Sequence, residues 1–116
     1  MLKLLSLLCL LPAAALADPM TGVLLNPFIG YTEAIVITDP TKEQTGDLSA
    51  CGPGCAFTDF MGKGDCMAVA ISLAEGAYGY HYGPAIALQN SQTQALRHCQ
   101  HFGGTACKLY EPICDR

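Results

Sequence analysis

Seven cysteines, at 9, 51, 55, 66, 99, 107 and 114, admit thiol redox chemistry, metal ligation or cross-linking. Cys51-Gly52-Pro53-Gly54-Cys55 is close to the redox motif Cys-Gly-Pro-Cys, in which two intervening residues place a nucleophilic thiol at a helix N-terminus and lower its pKa. Here three residues intervene, and Ala56-Phe57-Thr58-Asp59-Phe60-Met61-Gly62 is too short and glycine-ended for the helix that chemistry needs. A zinc site would draw on Cys51, Cys55, Cys66 and either Cys99 or His101. Structural zinc sites use two close ligand pairs, and only Cys51 and Cys55 form one. Cross-linking is therefore expected, with no metal and no cofactor.

Acid–base chemistry finds less support. Asp59 and Asp65 have the residue types of a glycosidase pair, but both sit near glycines and read as solvated turn residues. His98 and His101, three apart, suit a metal pair or a cation set against a helix dipole. With no carboxylate at matching spacing they read as a solvated helix end. His81 lies between Tyr80 and Tyr82, on the same predicted strand face as Gly79. No Gly-x-Ser-x-Gly elbow, phosphate loop or His-Glu-x-x-His run is present. No catalytic residue is assigned. A small thiol-redox or hydrolase-like enzyme is the alternative, and a cleft holding Asp59 or Asp65 with His81 would favour it.

The elements that position these residues begin with a leader. Lys3, the apolar run Leu4–Leu11 and Ala15-Leu16-Ala17 before Asp18 read as a secretory signal peptide over 1–17, cleaved after Ala17. A lipid anchor at Cys9 would need a small residue where Leu8 stands. No stretch reaches the roughly 20 apolar residues of a membrane span, so no membrane insertion is expected after cleavage. Secretion or a periplasmic location follows.

The remaining six cysteines are an even number in an exported chain, as a disulfide framework requires. A chain of about 100 residues has a thin core, and bridges are the usual remedy. Loop closure ranks a Cys51–Cys55 ring at about 2 kcal/mol, a Cys99–Cys107 ring at about 3 and a Cys66–Cys114 ring at about 4. Cys99–Cys107 is favoured because a glycine loop returns the helix end to the next strand, and Cys99–Cys114 stays open. Lys and Arg number 6 against 10 Asp and Glu, so no basic stripe exists to engage nucleic acid.

Residues 18–64 read as a loop-rich region with one strand at Glu33–Thr38, a solvated connection at Thr41–Ser49 and a tight turn at Cys51–Cys55. Residues 65–116 are more regular. Cys66–Leu73 and Ala77–Tyr82 predict a β-hairpin turning at Ala74-Glu75-Gly76. Period-two geometry puts Tyr78, Tyr80 and Tyr82 on one face and Gly79 and His81 on the other. Pro84–His101 predicts the main helix, with a stripe of Ala85, Leu88, Gln92, Ala95, Leu96 and Cys99. Gly103-Gly104 ends it, and Cys107–Tyr110 predicts a last strand.

Met67-Ala68-Val69-Ala70-Ile71-Ser72, Gly76-Ala77-Tyr78-Gly79-Tyr80, Ala95-Leu96-Arg97-His98-Cys99, Gly103-Gly104-Thr105-Ala106-Cys107 and Ile113-Cys114 together resemble the bacterial secreted family named domain of unknown function 4189. The resemblance runs over roughly residues 65–115 and implies an exported α+β module of unestablished role. This helix carries glutamines where that family spreads charged residues, and the resemblance transfers no catalytic residue.

The expected fold is α+β: a small antiparallel β-sheet, hairpin plus C-terminal strand, with one packed α-helix, disulfide-stapled. A non-enzymatic binding module is expected, acting on an envelope protein or a polysaccharide through its surface. Tyr78, Tyr80 and Tyr82 are the candidate surface if the helix takes the Gly79 and His81 face, and core if it covers them instead. Mass spectrometry of the exported protein should give an N-terminus at Asp18; an intact leader would remove the oxidising compartment from this reading.

Overall fold

Cys66-Met67-Ala68-Val69-Ala70-Ile71-Ser72 alternates large with small side chains, and all seven are buried. A strand covered on both faces needs a different neighbour on each, and the chain supplies two. In the computed structural model, which describes residues 19–37 and 48–115, the order is β1 (Met20–Asn26), β2 (Tyr31–Ile37), α1 (Leu48–Cys51), β3 (Ala56–Met61), β4 (Asp65–Ser72) and β5 (Ala77–Pro84). A 3-10 turn (Ala85–Ala87), α2 (Leu88–His101), β6 (Lys108–Leu109) and β7 (Ile113–Cys114) follow. The expected leader with Cys9 lies outside the described residues, as does the connection expected from Thr41, up to Asp47. Among the described residues no helix is long and apolar enough to cross a membrane.

The strands form two antiparallel sheets, β2-β1-β3 and β5-β4-β6, with β7 also paired to β4. The sheets face each other through Val23, Leu25 and Met61 on one side and Met67, Val69 and Ile71 on the other. On the far side of β4, Ala68 and Ala70 meet Ala95 and Cys99 of α2. The large residues of β4 thus join the sheets, and the small ones admit the helix. Leu24, Ile35, Ile37 and Cys51 form a third cluster on the outer face of the first sheet.

This is an α+β fold with antiparallel sheets, one main helix and three disulfides, but the single expected sheet is two. Residues 18–64, read as loop-rich with one strand, hold three strands among their described residues. The strand read at Glu33–Thr38 is found as Tyr31–Ile37. β3 escapes period-two reading because its register on β1 shifts between Gly22 and Leu24. Thr58 and Asp59 then oppose Val23 alone, a bulge that turns Phe57 and Phe60 to the same face, ring centroids 5.0 Å apart. β1 escapes because Val23, Leu24 and Leu25 are all buried, so no polar residue alternates with them.

The second half follows its periodicities. α2 runs back along β5, with Ser91 beside His81 and Cys99 reaching the Ala77 carbonyl. Ala95 and Cys99 are buried as expected, while Ala85 is exposed on the 3-10 turn. Ser91, left out of the predicted stripe, is buried because its hydroxyl meets His81 Nδ1 at 2.9 Å. The last strand is shorter than Cys107–Tyr110, and β7 is added beyond it.

Gly79 sets how close α2 can come. A Cβ there would stand 2.3 Å from Cys99 N and 2.5 Å from Ala95 O, both backbone atoms of the helix. At Gly83 the nearest such atom is Ser91 Oγ at 3.8 Å, ordinary contact. Gly79→Ala should therefore cost about 3 kcal/mol by overpacking, while Gly83→Ala stays within about 1 kcal/mol. Urea unfolding measures both, and equal losses would contradict this packing.

Candidate functional site

The six cysteines form three disulfides, Cys51–Cys55, Cys66–Cys114 and Cys99–Cys107, with Cα–Cα distances of 5.4, 3.9 and 6.1 Å. The favoured Cys99–Cys107 pairing is present, and the open Cys99–Cys114 alternative is not. Gly104 makes room for it: a Cβ there would lie 2.4 Å from Cys107 Sγ and 2.8 Å from Cys99 Sγ. The zinc set drawn from Cys51, Cys55, Cys66 and Cys99 or His101 is not brought together, because its sulfurs are divided among three bridges. Among the described residues no group of three or more metal-ligating side chains could hold an ion.

The carboxylates and imidazoles are also dispersed. Asp59, expected in a turn, lies instead in β3, where the bulge opposes Thr58 and Asp59 to Val23. Asp65 opens β4, and its Oδ2 accepts the Gly62 N–H at 3.1 Å, closing the turn between β3 and β4. His81 is engaged by Ser91 beneath α2. His98 is exposed, its Nδ1 lying 3.1 Å from the Tyr80 carbonyl oxygen, which makes Nδ1–H the donor. His101 sets its ring edge-on to Phe102, centroids 5.2 Å apart.

The helix packs on the Gly79 and His81 face, which was the condition set for a tyrosine strip in solvent. The strip does not follow, because the first sheet, unforeseen, takes the tyrosine face. Tyr78 and Tyr80 pack against the core between the sheets. The Tyr80 hydroxyl donates to Thr58 O at 3.0 Å, at the β3 bulge. Burial pushes the Tyr80 phenol up, and the Asp59 carboxylate adds to that, so the group stays a donor. Tyr82 is the exposed member of the row.

An open groove of about 930 Å³ runs between β5 and the end of α2. Tyr78, Gly79, Tyr80, His98, His101 and Phe102 line it, with Gly76 and Ala77 at one end. No carboxylate, ammonium or guanidinium group is among them. Phe102 is 69 % exposed, and Phe28, from the turn after β1, is 61 % exposed beside Gly76. Gly76 has φ 68°, and a Cβ there would lie 2.2 Å from Phe28 Cε1. Phe102 thus stands exposed in the groove, and Phe28 lies beside Gly76 at one end of it. Sequence reasoning singled out the tyrosines and histidines but missed Phe102 and Phe28. The signal for Phe102 was an aromatic residue directly before the Gly103-Gly104 helix stop.

The hairpin turn at the end of the groove is tied to the glycine loop by Glu75. Its carboxylate accepts hydrogen bonds from the Ser72 hydroxyl, the Thr105 hydroxyl and the Thr105 N–H, the last at 3.2 Å. Ser72 Oγ in turn accepts the Ala106 N–H at 3.1 Å.

A protein-family model described as Domain of unknown function (DUF4189) matches residues 26–114. The match runs from buried Asn26 to Cys114 and includes all three disulfides and the groove. No curated protein and no solved structure matches the chain.

The Glu75 contacts hold its carboxyl below the ordinary value of 4.5, the Ser72 hydrogen bond contributing most and the two from Thr105 next. Since the folded value is depressed, the stabilisation is complete above about pH 4.5 and is lost as pH falls through the lower folded value. Glu75→Gln should lower the melting temperature near neutral pH. The difference from wild type should shrink below about pH 4.5. A difference independent of pH would contradict the carboxylate's role.

Proposed function

The chain belongs to the family described as Domain of unknown function (DUF4189), and within it we propose that this protein is an exported, non-enzymatic binding module whose ligand enters the groove between β5 and α2. The observation that carries the reading is the groove itself: open, walled by Gly76 and the β5 edge from Ala77 to Tyr80, and lined from the helix side by His98, His101 and the exposed Phe102. Clefts of this kind bind through apolar contact, with a few polar groups setting orientation. The three disulfides favour an oxidising compartment, which agrees with the signal peptide read at 1–17 and with a periplasmic or secreted location.

Binding is preferred over catalysis because the groups that catalysis would use are committed elsewhere. The thiols are cross-linked, His81 is engaged beneath α2, and Asp65 closes a turn. The ligand is an envelope component, protein or polysaccharide.

The His98→Ala/Phe102→Ala double variant tests this. Both residues are exposed, so the melting temperature should stay within about 4 °C of wild type. Immobilised wild-type protein should retain an envelope component that the variant releases. Retention of the same components in equal amounts by both proteins would overturn the groove as the binding site.

A further inference from the structure

Among the described residues β5 is the outermost strand of its sheet, and the phase of the ladder decides which of its polar groups are left over. Tyr110 donates its N–H to Val69 O at 2.9 Å, and Asp115 to Asp65 O at 2.8 Å. The odd-numbered residues of β4 therefore turn their main-chain groups toward β6 and β7. Its even-numbered residues, Cys66, Ala68, Ala70 and Ser72, bond across to Gly83, His81, Gly79 and Ala77. Tyr82, Tyr80 and Tyr78 stand opposite Met67, Val69 and Ile71, so each aims its N–H and C=O outward. Among the described residues, the one bond to this row from a side chain is that of His98 on Tyr80 O.

Three outward N–H and C=O pairs, about 6.8 Å apart along the strand, form the pattern on which another extended chain pairs. The row ends at Pro84, which has no N–H to offer. Its first two members, Tyr78 and Tyr80, lie along one wall of the groove. We propose that the ligand is an extended, non-acidic peptide that adds to β5 as a new strand, bonding to Tyr78, Tyr80 and Tyr82 and setting an uncharged side chain beside His98, His101 and Phe102. This rests on the binding-module reading above and names its ligand class.

Three observations select that occupant. A second copy of this chain is disfavoured by α2, which lies over β5 and β4 and comes close enough to touch Gly79. Two copies joined through β5 would bring those helices side by side across the new junction, a crowding that a bare extended peptide does not meet. A polysaccharide offers no N–H and C=O repeat at strand spacing, and two of the three tyrosine rings it would stack on are turned into the core between the sheets. An acidic peptide is disfavoured by the chain's net charge of −4 and by a groove with no cationic lining group. His98 gives up Tyr80 O at small cost, because its ring is exposed and regains water.

The test selects peptides of about 12 residues from a displayed random library on the purified, disulfide-bonded protein. The tightest binder is then resynthesised with a single backbone N-methyl group at each position in turn. Methylation should weaken binding about fivefold or more at alternate positions and leave the intervening ones unchanged, the loss expected for about 1 kcal/mol per main-chain bond. Tyr82→Pro should weaken binding by a similar factor, because it removes an outward N–H and no bond to β4. Tyr82→Ala, which keeps that N–H, should bind within about twofold of wild type. Failure to select any binder, methylation losses without alternation, or equal losses in the two Tyr82 variants would each overturn strand addition. So would a wild-type dimer that Tyr82→Pro renders monomeric, which would give the edge to a second copy. If envelope capture is lost in His98→Ala/Phe102→Ala and kept in Tyr82→Pro, the groove reading stands and strand addition falls.

Discussion

The contact between α2 and the backbone at Gly79 is the constraint around which the second half of this protein is arranged. A helix can lie this close to a strand only where the strand lacks a side chain and its neighbour carries small ones, and Gly79, Ala68 and Ala70 meet that condition. The approach also fixes the lateral position of the helix. α2 lies over β5, the edge strand, as well as over β4, so its last turn reaches the rim. His98 can then bend to the Tyr80 carbonyl, and Phe102 can stand at the mouth of the groove. The Cys99–Cys107 bridge holds that turn from behind, through a loop whose Gly104 leaves no room for a side chain.

The opposite face of the hairpin is shaped by the same economy of space. Met67, Val69 and Ile71 fill the gap between the sheets, and Tyr78 and Tyr80 extend that core toward β3. The bulge in β3 would leave backbone groups without ladder partners. Thr58 meets that need by donating its hydroxyl to Val23 O at 2.9 Å and accepting the Tyr80 hydroxyl on its carbonyl. At the far end of β1, buried Asn26 donates to Cys51 O at 2.6 Å and to Pro53 O at 2.8 Å. The small Cys51–Cys55 ring is thereby fastened to the first sheet. Each disulfide thus secures a different part of the structure: the outer loop, the β4–β7 pair, and the helix end.

Sequence reasoning succeeded where a period is carried by consecutive residues. The alternation of β4 and β5, the helical stripe at Ala95 and Cys99, and the double glycine after α2 were all legible, and so was the Cys99–Cys107 pairing. It failed where the pattern depends on a partner far along the chain. Phe57 and Phe60 are three apart and share a face only because β3 bulges against β1. Val23-Leu24-Leu25 has no alternation because both its faces are covered. The tyrosine row was identified as a face, but its covering by the first sheet follows from pairing between β1 and β3, which local spacing does not encode. Of the groove, the strand and helix walls were readable. The place of Phe102 in it, and of Phe28 beside its Gly76 end, was not.

The edges of the two sheets are not treated alike. Proteins blunt exposed edges with short strands, charged side chains or proline, because unpaired main-chain groups invite other strands. β6 and β7 are two residues each, too short to template anything. β5 has eight residues, Ala77–Pro84, with no lysine, arginine, aspartate or glutamate among them, and its proline stands at the last position. What guards it is the overhang of α2. A shield of that shape discriminates by bulk: another folded domain arriving with its own covering helix is held off, while a bare extended segment has nothing to collide. The edge left long and uncharged beneath that overhang is the one whose groove His98, His101 and Phe102 line.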